Sequence, residues 1–225
     1  MNKKFSCIIA AYNEADRIGK VLEVATKHPL LDEVIVVNDG SLDSTATIVE
    51  GYQARLIDLP QNHGKGFAVA TGVYASKNEF ILLLDADLIG LTEEGITSLL
   101  EPVISGQADM SISLRKNSLL IYRLIGLDFV SGERVFDKKF IEPHLEFISK
   151  LPGFGLEVFL NKQIILNKLK IKVVYLSTLI SPRKSMKTNF FRGAYADILM
   201  IGHILKVISV FELVNQNLKM LAQRV

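Results

Sequence analysis

A chain of 225 residues, 49% apolar and 22% charged, has globular composition, which excludes a disordered or fibrous protein. With 26 basic and 24 acidic residues the formal charge is +2, too small to mark a nucleic-acid binder. The single cysteine, Cys7, excludes an intramolecular disulfide; it sits in an apolar run and fits a small buried residue in a reducing compartment.

In chain order, the first half alternates short apolar runs with helix-period segments, the pattern of a mostly parallel α/β sheet covered by helices. Residues 5–11 read as a buried strand. A helix is expected over 14–27, where Ile18, Val21, Leu22 and Ala25 recur at helical spacing. Residues 33–37 form a second, β-branched strand that stops at Asn38-Asp39-Gly40-Ser41, with Asp43 or Ser44 placed to cap a helix running to about Tyr52. A weaker strand over 54–59 is closed by Pro60, and 61–66 is a loop before a helix of small residues over 67–76. The strand at 80–84 is wholly apolar and runs into Asp85-Ala86-Asp87; a helix at 93–105 and a strand at 108–114 follow.

The second half is less regular. An apolar helix is expected near 118–129, a turn at Ser131-Gly132-Glu133-Arg134, a helix over 155–169 and a strand over 171–180. Residues 181–189 read as a basic polar loop, with Arg183, Lys184 and Lys187, before a long helical region. No repeat or linker interrupts the chain, so one domain over 1–225 is expected, with a first part to residue 115 and a second from 116. The start lacks an apolar run long enough for a signal peptide. The most apolar stretch, 195–214, holds Asp197, His203, Lys206 and Glu212, which speaks against a spanning helix. The chain is therefore expected on the cytosolic side, free or peripheral at the inner face of the membrane. Its C-terminal apolar residues would lie on a bilayer, on the sheet or on a second copy in a homodimer.

In an open α/β sheet, ligands bind beyond the carboxyl ends of the strands. Three strand ends here carry polar residues: Tyr12-Asn13-Glu14, Asn38-Asp39-Gly40-Ser41 and Asp85-Ala86-Asp87. Two carboxylates as close as Asp85 and Asp87 repel each other unless a cation lies nearby, and hard oxygen ligands suit magnesium or manganese. A capped strand end without metal is the bland alternative. Asp39 can accept from a base or ribose, or can cap the next helix. Lys65, between Gly64 and Gly66, can meet a diphosphate or stay a solvated loop lysine; His63 and His144 are expected to be structural or solvated.

Taken together, Ala10-Ala11-Tyr12-Asn13-Glu14, Val37-Asn38-Asp39-Gly40-Ser41, Asn62-His63-Gly64-Lys65-Gly66 and Leu84-Asp85-Ala86-Asp87 resemble the successive signatures of family 2 glycosyltransferases. The resemblance covers about the first 115 residues and implies the GT-A fold, a UDP- or GDP-sugar donor and a bound Mn2+ or Mg2+ ion. It implies a donor site built on Ala11, Tyr12, Glu14, Asp39, Lys65, Asp85 and Ala86, with Asp85 and Asp87 as the family's metal-binding pair. More loosely, Ser131 to Arg134 and Leu151 to Glu157 resemble the acceptor side of polyprenyl-phosphate and glycerate-type sugar transferases. Gly132, Glu133, Arg134 and Gly155 would then meet the donor sugar or the acceptor, which includes a lipid-linked phosphate. Glu157 would act as the catalytic carboxylate beside Asp87.

Two departures stand out. The usual acidic pair at the base position is absent, and 181–187 lacks the histidine that some relatives add as a third metal ligand. Transfer with inversion is the expected reaction, with retention as the alternative. A sugar-1-phosphate nucleotidyltransferase would need a Gly-rich segment after the first strand, where Ala11-Tyr12-Asn13-Glu14 stands; a non-catalytic nucleotide-sugar binder would have lost a metal carboxylate, and both are present.

Overall fold

The computed structural model describes residues 3–181, 202 and 208–225. Strands β1 (Phe5–Ala11), β2 (Leu31–Asn38), β3 (Arg55–Asp58) and β4 (Phe80–Asp85) alternate with helices α1 (Ile18–Ala25), α2 (Thr45–Glu50) and α3 (Lys65–Ala75). Then come α4 (Glu93–Ile104), β5 (Met110–Arg115), α5 (Leu120–Ile125) and β6 (Arg134–Asp137). The short α6 (Leu145–Ile148), α7 (Gly155–Leu166), β7 (Ile171–Leu176) and a C-terminal helix (Val210–Leu221) complete the described elements.

The seven strands lie in the order β3-β2-β1-β4-β6-β5-β7. Strands β1 to β4 are parallel, whereas β6 runs antiparallel between β4 and β5. Alternate residues feed opposite faces, as the two-residue period of a strand requires. Ile8, Val37 and Leu83 join α3 and α7 on one side; Cys7, Ile9, Val36 and Leu82 join α1 and α4 on the other. Burial on both faces explains why these strands read as unbroken apolar runs.

Three expectations need correction. Residues 131–134 are not simply a turn, because Arg134 opens β6 and pairs with Leu83 and Ile112 across the sheet. A strand of four residues that begins on an arginine and ends on an aspartate has no apolar period to reveal it. Helix α3 begins at Lys65, not at residue 67, so Lys65 occupies its first turn behind Gly64. Strand β7 stops at Leu176, although Ile180 still pairs with Ile89. Cys7 is buried and free, as expected. Among the described residues no helix is long and apolar enough to cross a membrane. Arg183, Lys184, Lys187, His203 and most of the 195–214 stretch lie outside the described residues.

Candidate functional site

The ends of β1, β2, β4 and β5 converge on two adjoining cavities. The larger, about 480 Å³, is walled by Ala11, Tyr12, Glu14, Asp39, Ala86 and Asp87. The smaller, about 160 Å³, is walled by Arg115, Asn117, Ser118, Tyr122 and Asp128. Lys65, Asp85, Phe154, Glu157 and Ser181 border both. Three of the expected donor-site turns thus meet in one place, and the expected catalytic carboxylate stands on the partition between the two spaces.

Lys65 ties that partition together. From the first turn of α3 its Nζ donates to Asp85 Oδ1 at 2.8 Å and to Glu157 Oε1 at 2.8 Å. Burial opposes the lysine charge, but the two carboxylates overcome it and hold the ammonium above its ordinary range. Burial would likewise raise Asp85, yet the charges of Lys65 and Arg115 keep it below the usual carboxylate range. Asp87, two residues on, has no such partner among the described residues. Burial first, then the charges of Asp85 and Glu14, push its carboxyl up to about 6. Ser181 Oγ reaches it only at 3.4 Å, and Glu14 is itself taken by Arg17 at 2.9 Å.

Asp39 does something the sequence did not suggest. Its carboxylate accepts from the backbone N–H of His63 and Gly64, each at 2.8 Å, and from Asn62 Nδ2 at 2.9 Å. It therefore pins the 62–64 loop, which delivers Lys65, to the end of β2. His63 stacks on Phe67 with ring centroids 4.4 Å apart. Tyr12 is exposed on the wall of the larger cavity, open to a flat ring.

The four residues expected to touch sugar or acceptor line neither cavity. Arg134 is fully buried and donates to Ser131 O, Asn161 Oδ1 and Phe129 O at 2.7–2.9 Å. Burial pulls its guanidinium down to about 10, so it stays charged at neutral pH inside the protein. Glu133 is equally buried, accepting from Ser113 and Ser131 and pairing with Arg115 at 3.3 Å. Gly132 lies against the Asp85 carboxylate: a Cβ there would stand 2.5 Å from Asp85 Oδ1 and 2.6 Å from Oδ2. At Gly155 a Cβ would stand 2.9 Å from Leu151 Cβ, so its smallness seats the start of α7. These residues support the site from behind.

Arg115 and Asp128 were not singled out from the sequence. Arg115 sits among Glu133 at 3.3 Å, Asp128 at 3.6 Å and Asp85 at 3.7 Å, and their charges raise its guanidinium against the cost of burial. Its signal was available, since it ends an apolar strand just as Asp85 does. Asp128 was marked by being one charge within the apolar run Leu127 to Val130. Four buried side-chain atoms lack hydrogen-bond partners among the described residues, and two of them, Arg115 Nε and Glu157 Oε2, lie at this site. Such orphaned polar atoms are costly unless a ligand or water completes them.

The fit of a divalent cation follows from the donor set. Among the described residues no cluster of three or more histidine, cysteine, aspartate or glutamate side chains is arranged for a metal. Magnesium, however, is commonly held by one or two carboxylates with substrate phosphates completing the shell. Asp87 supplies a carboxylate in no ion pair among the described residues, while Asp85 is already shared with Lys65. The residues therefore fit a metal that arrives with phosphate oxygens, to which Asp87 would offer its carboxylate.

Comparison with known proteins agrees with this geometry. The model of the Glycosyl transferase family 2 matches residues 6–125. A dolichyl-phosphate beta-glucosyltransferase of Trichomonas vaginalis is 44% identical over 94 residues, covering 36% of this chain and 28% of that protein. A second from the same organism is 31% identical over 169 residues, covering 69% of this chain and 47% of that protein. The chain thus matches less than half the length of these curated relatives. Among solved structures, glucosyl-3-phosphoglycerate synthase from Mycobacterium tuberculosis superposes with a TM-score of 0.68 at 21% identity. The match covers 91% of this chain and 80% of that one, and the fold is GT-A. That structure contains Mn2+, UDP and glucosyl-3-phosphoglycerate.

Proposed function

The chain belongs to glycosyl transferase family 2, and from that premise we propose that it transfers a hexose from a nucleoside diphosphate sugar to a phosphate-bearing acceptor. The observation that carries this is the partition: Lys65, Asp85 and Glu157 separate a cavity lined by Tyr12 and Asp87 from one lined by Arg115. Donor and acceptor would occupy opposite sides of one wall, which aligns them for displacement at the anomeric carbon.

In the larger cavity Tyr12 would stack on the base. Lys65 would meet the diphosphate, which develops charge as it leaves. Asp87, with Asp85, would hold Mn2+ or Mg2+, which when bound acts as a Lewis acid on the departing phosphate. Support for a uridine nucleotide with such an ion comes from the M. tuberculosis enzyme, and for a lipid phosphate acceptor from the dolichyl-phosphate relatives. In the smaller cavity, where Lys65 and Arg115 are shared with Asp85, Asp128 and Glu157, the unpartnered Arg115 Nε would meet an oxygen of the acceptor head, and Leu119 and Tyr122 suit an apolar stem. Such an acceptor fits a chain that works against a membrane.

Glu157 would serve differently with different acceptors. A hydroxyl must lose its proton as it attacks, and the unpartnered Oε2 of Glu157 is the group placed to take it. A phosphate oxygen is already charged and needs no base; Glu157 would then chiefly hold Lys65. Thermal-shift screening with UDP- and GDP-sugars, with and without Mn2+, tests the donor, because a ligand that binds the native state raises its stability. Comparing Glu157→Gln on hydroxyl and phosphate acceptors tests the rest. A loss of about 10²-fold or more on hydroxyl acceptors alone is expected, and an equal loss on both would overturn the assignment. The product's anomeric configuration distinguishes inversion, which we favour, from retention.

A further inference from the structure

Helix α5 has two unlike faces. Tyr122 is buried and, with Leu119 just before the helix, lines the smaller cavity. Leu120, Ile121 and Leu124 point away from it and are 68%, 57% and 73% exposed. Three large aliphatic side chains open to water within five positions form an apolar ridge that a water-facing helix would not keep. The charges along this segment have one sign: Lys116 and Arg123 are exposed, and no acidic residue stands between Lys116 and Leu127.

We propose that α5 is the surface through which the chain rests on an anionic lipid bilayer. The proposal rests on reading the smaller cavity as the subsite of a lipid-linked phosphate. Aliphatic side chains would enter the acyl boundary while the flanking cations meet lipid phosphates, the pattern of interfacial helices. The position of α5 supplies the second reason. The helix that carries the ridge also walls the cavity containing Arg115 and Lys65, so a head group leaving the bilayer has a short route to both cations.

A rival surface exists. On the C-terminal helix Val210, Phe211, Val214 and Leu218 are also exposed. That stripe includes the exposed acid Glu212, and the groove beside it is lined by His144, Phe147 and Gln216, away from both shared-wall cavities. The helix mixes that acid with the exposed base Lys219, and the groove shares no lining residue with the acceptor-side cavity.

Flotation with vesicles of phosphatidylcholine, alone and mixed with phosphatidylserine, separates the possibilities. The full chain should float with the anionic vesicles and less at high salt. The double substitution Leu120→Ser and Leu124→Ser should lower partitioning about tenfold or more, since binding scales with buried apolar area. Arg123→Glu should lower it about fivefold or more, and Phe211→Ser should leave it unchanged. These positions are exposed, and circular dichroism confirms that the variants fold. Loss of flotation in Phe211→Ser with retention in the α5 double variant would overturn the proposal, as would a wild-type chain that never floats. A dimer in light scattering that the α5 double variant splits would make the ridge a self-interface and equally overturn it. Flotation requires no turnover, so a chain that floats through α5 but transfers no sugar would defeat the donor assignment and leave this surface standing.

Discussion

The two parts of the sheet bury charge in opposite ways. Around β1, β2 and β4 the interior is apolar, and polar side chains that enter it are neutral or held by hydrogen bonds, as Asp39 is by the 62–64 loop. Around β5 and β6, full charges are buried against one another: Arg115 among three carboxylates, Arg134 against backbone carbonyls, Glu157 on Lys65. The first arrangement makes a rigid frame at little electrostatic cost. The second is stable only while every member is present, because a buried charge that loses its partner cannot return to water. Substitutions should therefore strike the two parts differently.

The largest effect on stability should come from Arg115→Met. It leaves Asp85, Asp128 and Glu133 facing one another without their shared cation, and a cost of about 3–5 kcal/mol in urea unfolding is expected. A change below 1 kcal/mol would mean that water already screens the cluster. Next comes Asp87→Asn, which keeps the shape of the turn and removes its charge. Transfer should fall about 10²–10³-fold, and the Mn2+-dependent part of the donor-induced thermal shift should vanish. Folding should survive, since among the described residues Asp87 joins no buried pair: full activity or a lost fold would each contradict the contrast.

The same difference explains what was legible in the sequence. Strands buried on both faces appear as apolar runs, so β1, β2 and β4 were visible, and the polar residues just past their ends were visible as a site. The second part hides its logic because paired charges look like surface. Glu133 and Arg134 read as a turn, since nothing local reveals that Ser113, Phe129, Ser131 and Asn161 will satisfy them. Arg115 was within reach, had the rule applied to Asp85 been applied to β5 as well. The pairing of Asp85 with Lys65 was not, because it depends on where α3 begins relative to β4.

A smaller effect is expected where the two parts touch. Gly132 comes from the charged part, and its α-carbon lies against the Asp85 carboxylate of the other. Gly132→Ala should displace that carboxylate from Lys65 and cost about 1–3 kcal/mol, as overpacking does. Its signature is a weakened donor-induced thermal shift with the fold intact. Gly106→Ala controls for glycine removal as such, since Gly106 lines neither cavity and a Cβ there meets nothing within 4 Å, although its φ of +74° carries its own strain. If both variants lose the same donor response, the contact at Gly132 is not what holds Asp85.

The smallest effect tests whether the first part keeps its buried histidine uncharged. His28 is buried after α1; its Nε2 meets Glu93 O at 3.2 Å and Thr97 Oγ1 at 3.0 Å, while Leu30 N donates to Nδ1 at 3.3 Å. A ring that accepts at Nδ1 carries its proton on Nε2 and is neutral. Burial lowers its pKa, partly opposed by Glu93. The unfolded chain therefore takes up a proton near pH 6.5, where the folded chain does not. Stability from this group is complete above that pH and erodes as the pH falls below it. Asp87, whose carboxyl is raised in the folded state, contributes with the opposite sign. The informative quantity is thus the difference between wild type and His28→Gln in urea midpoint at about pH 7.5 and about pH 5, spanning the histidine range. The wild type should lose more on acidification than the variant does; equal losses would show that His28 is charged when folded, and that the frame tolerates a buried cation as the other part does.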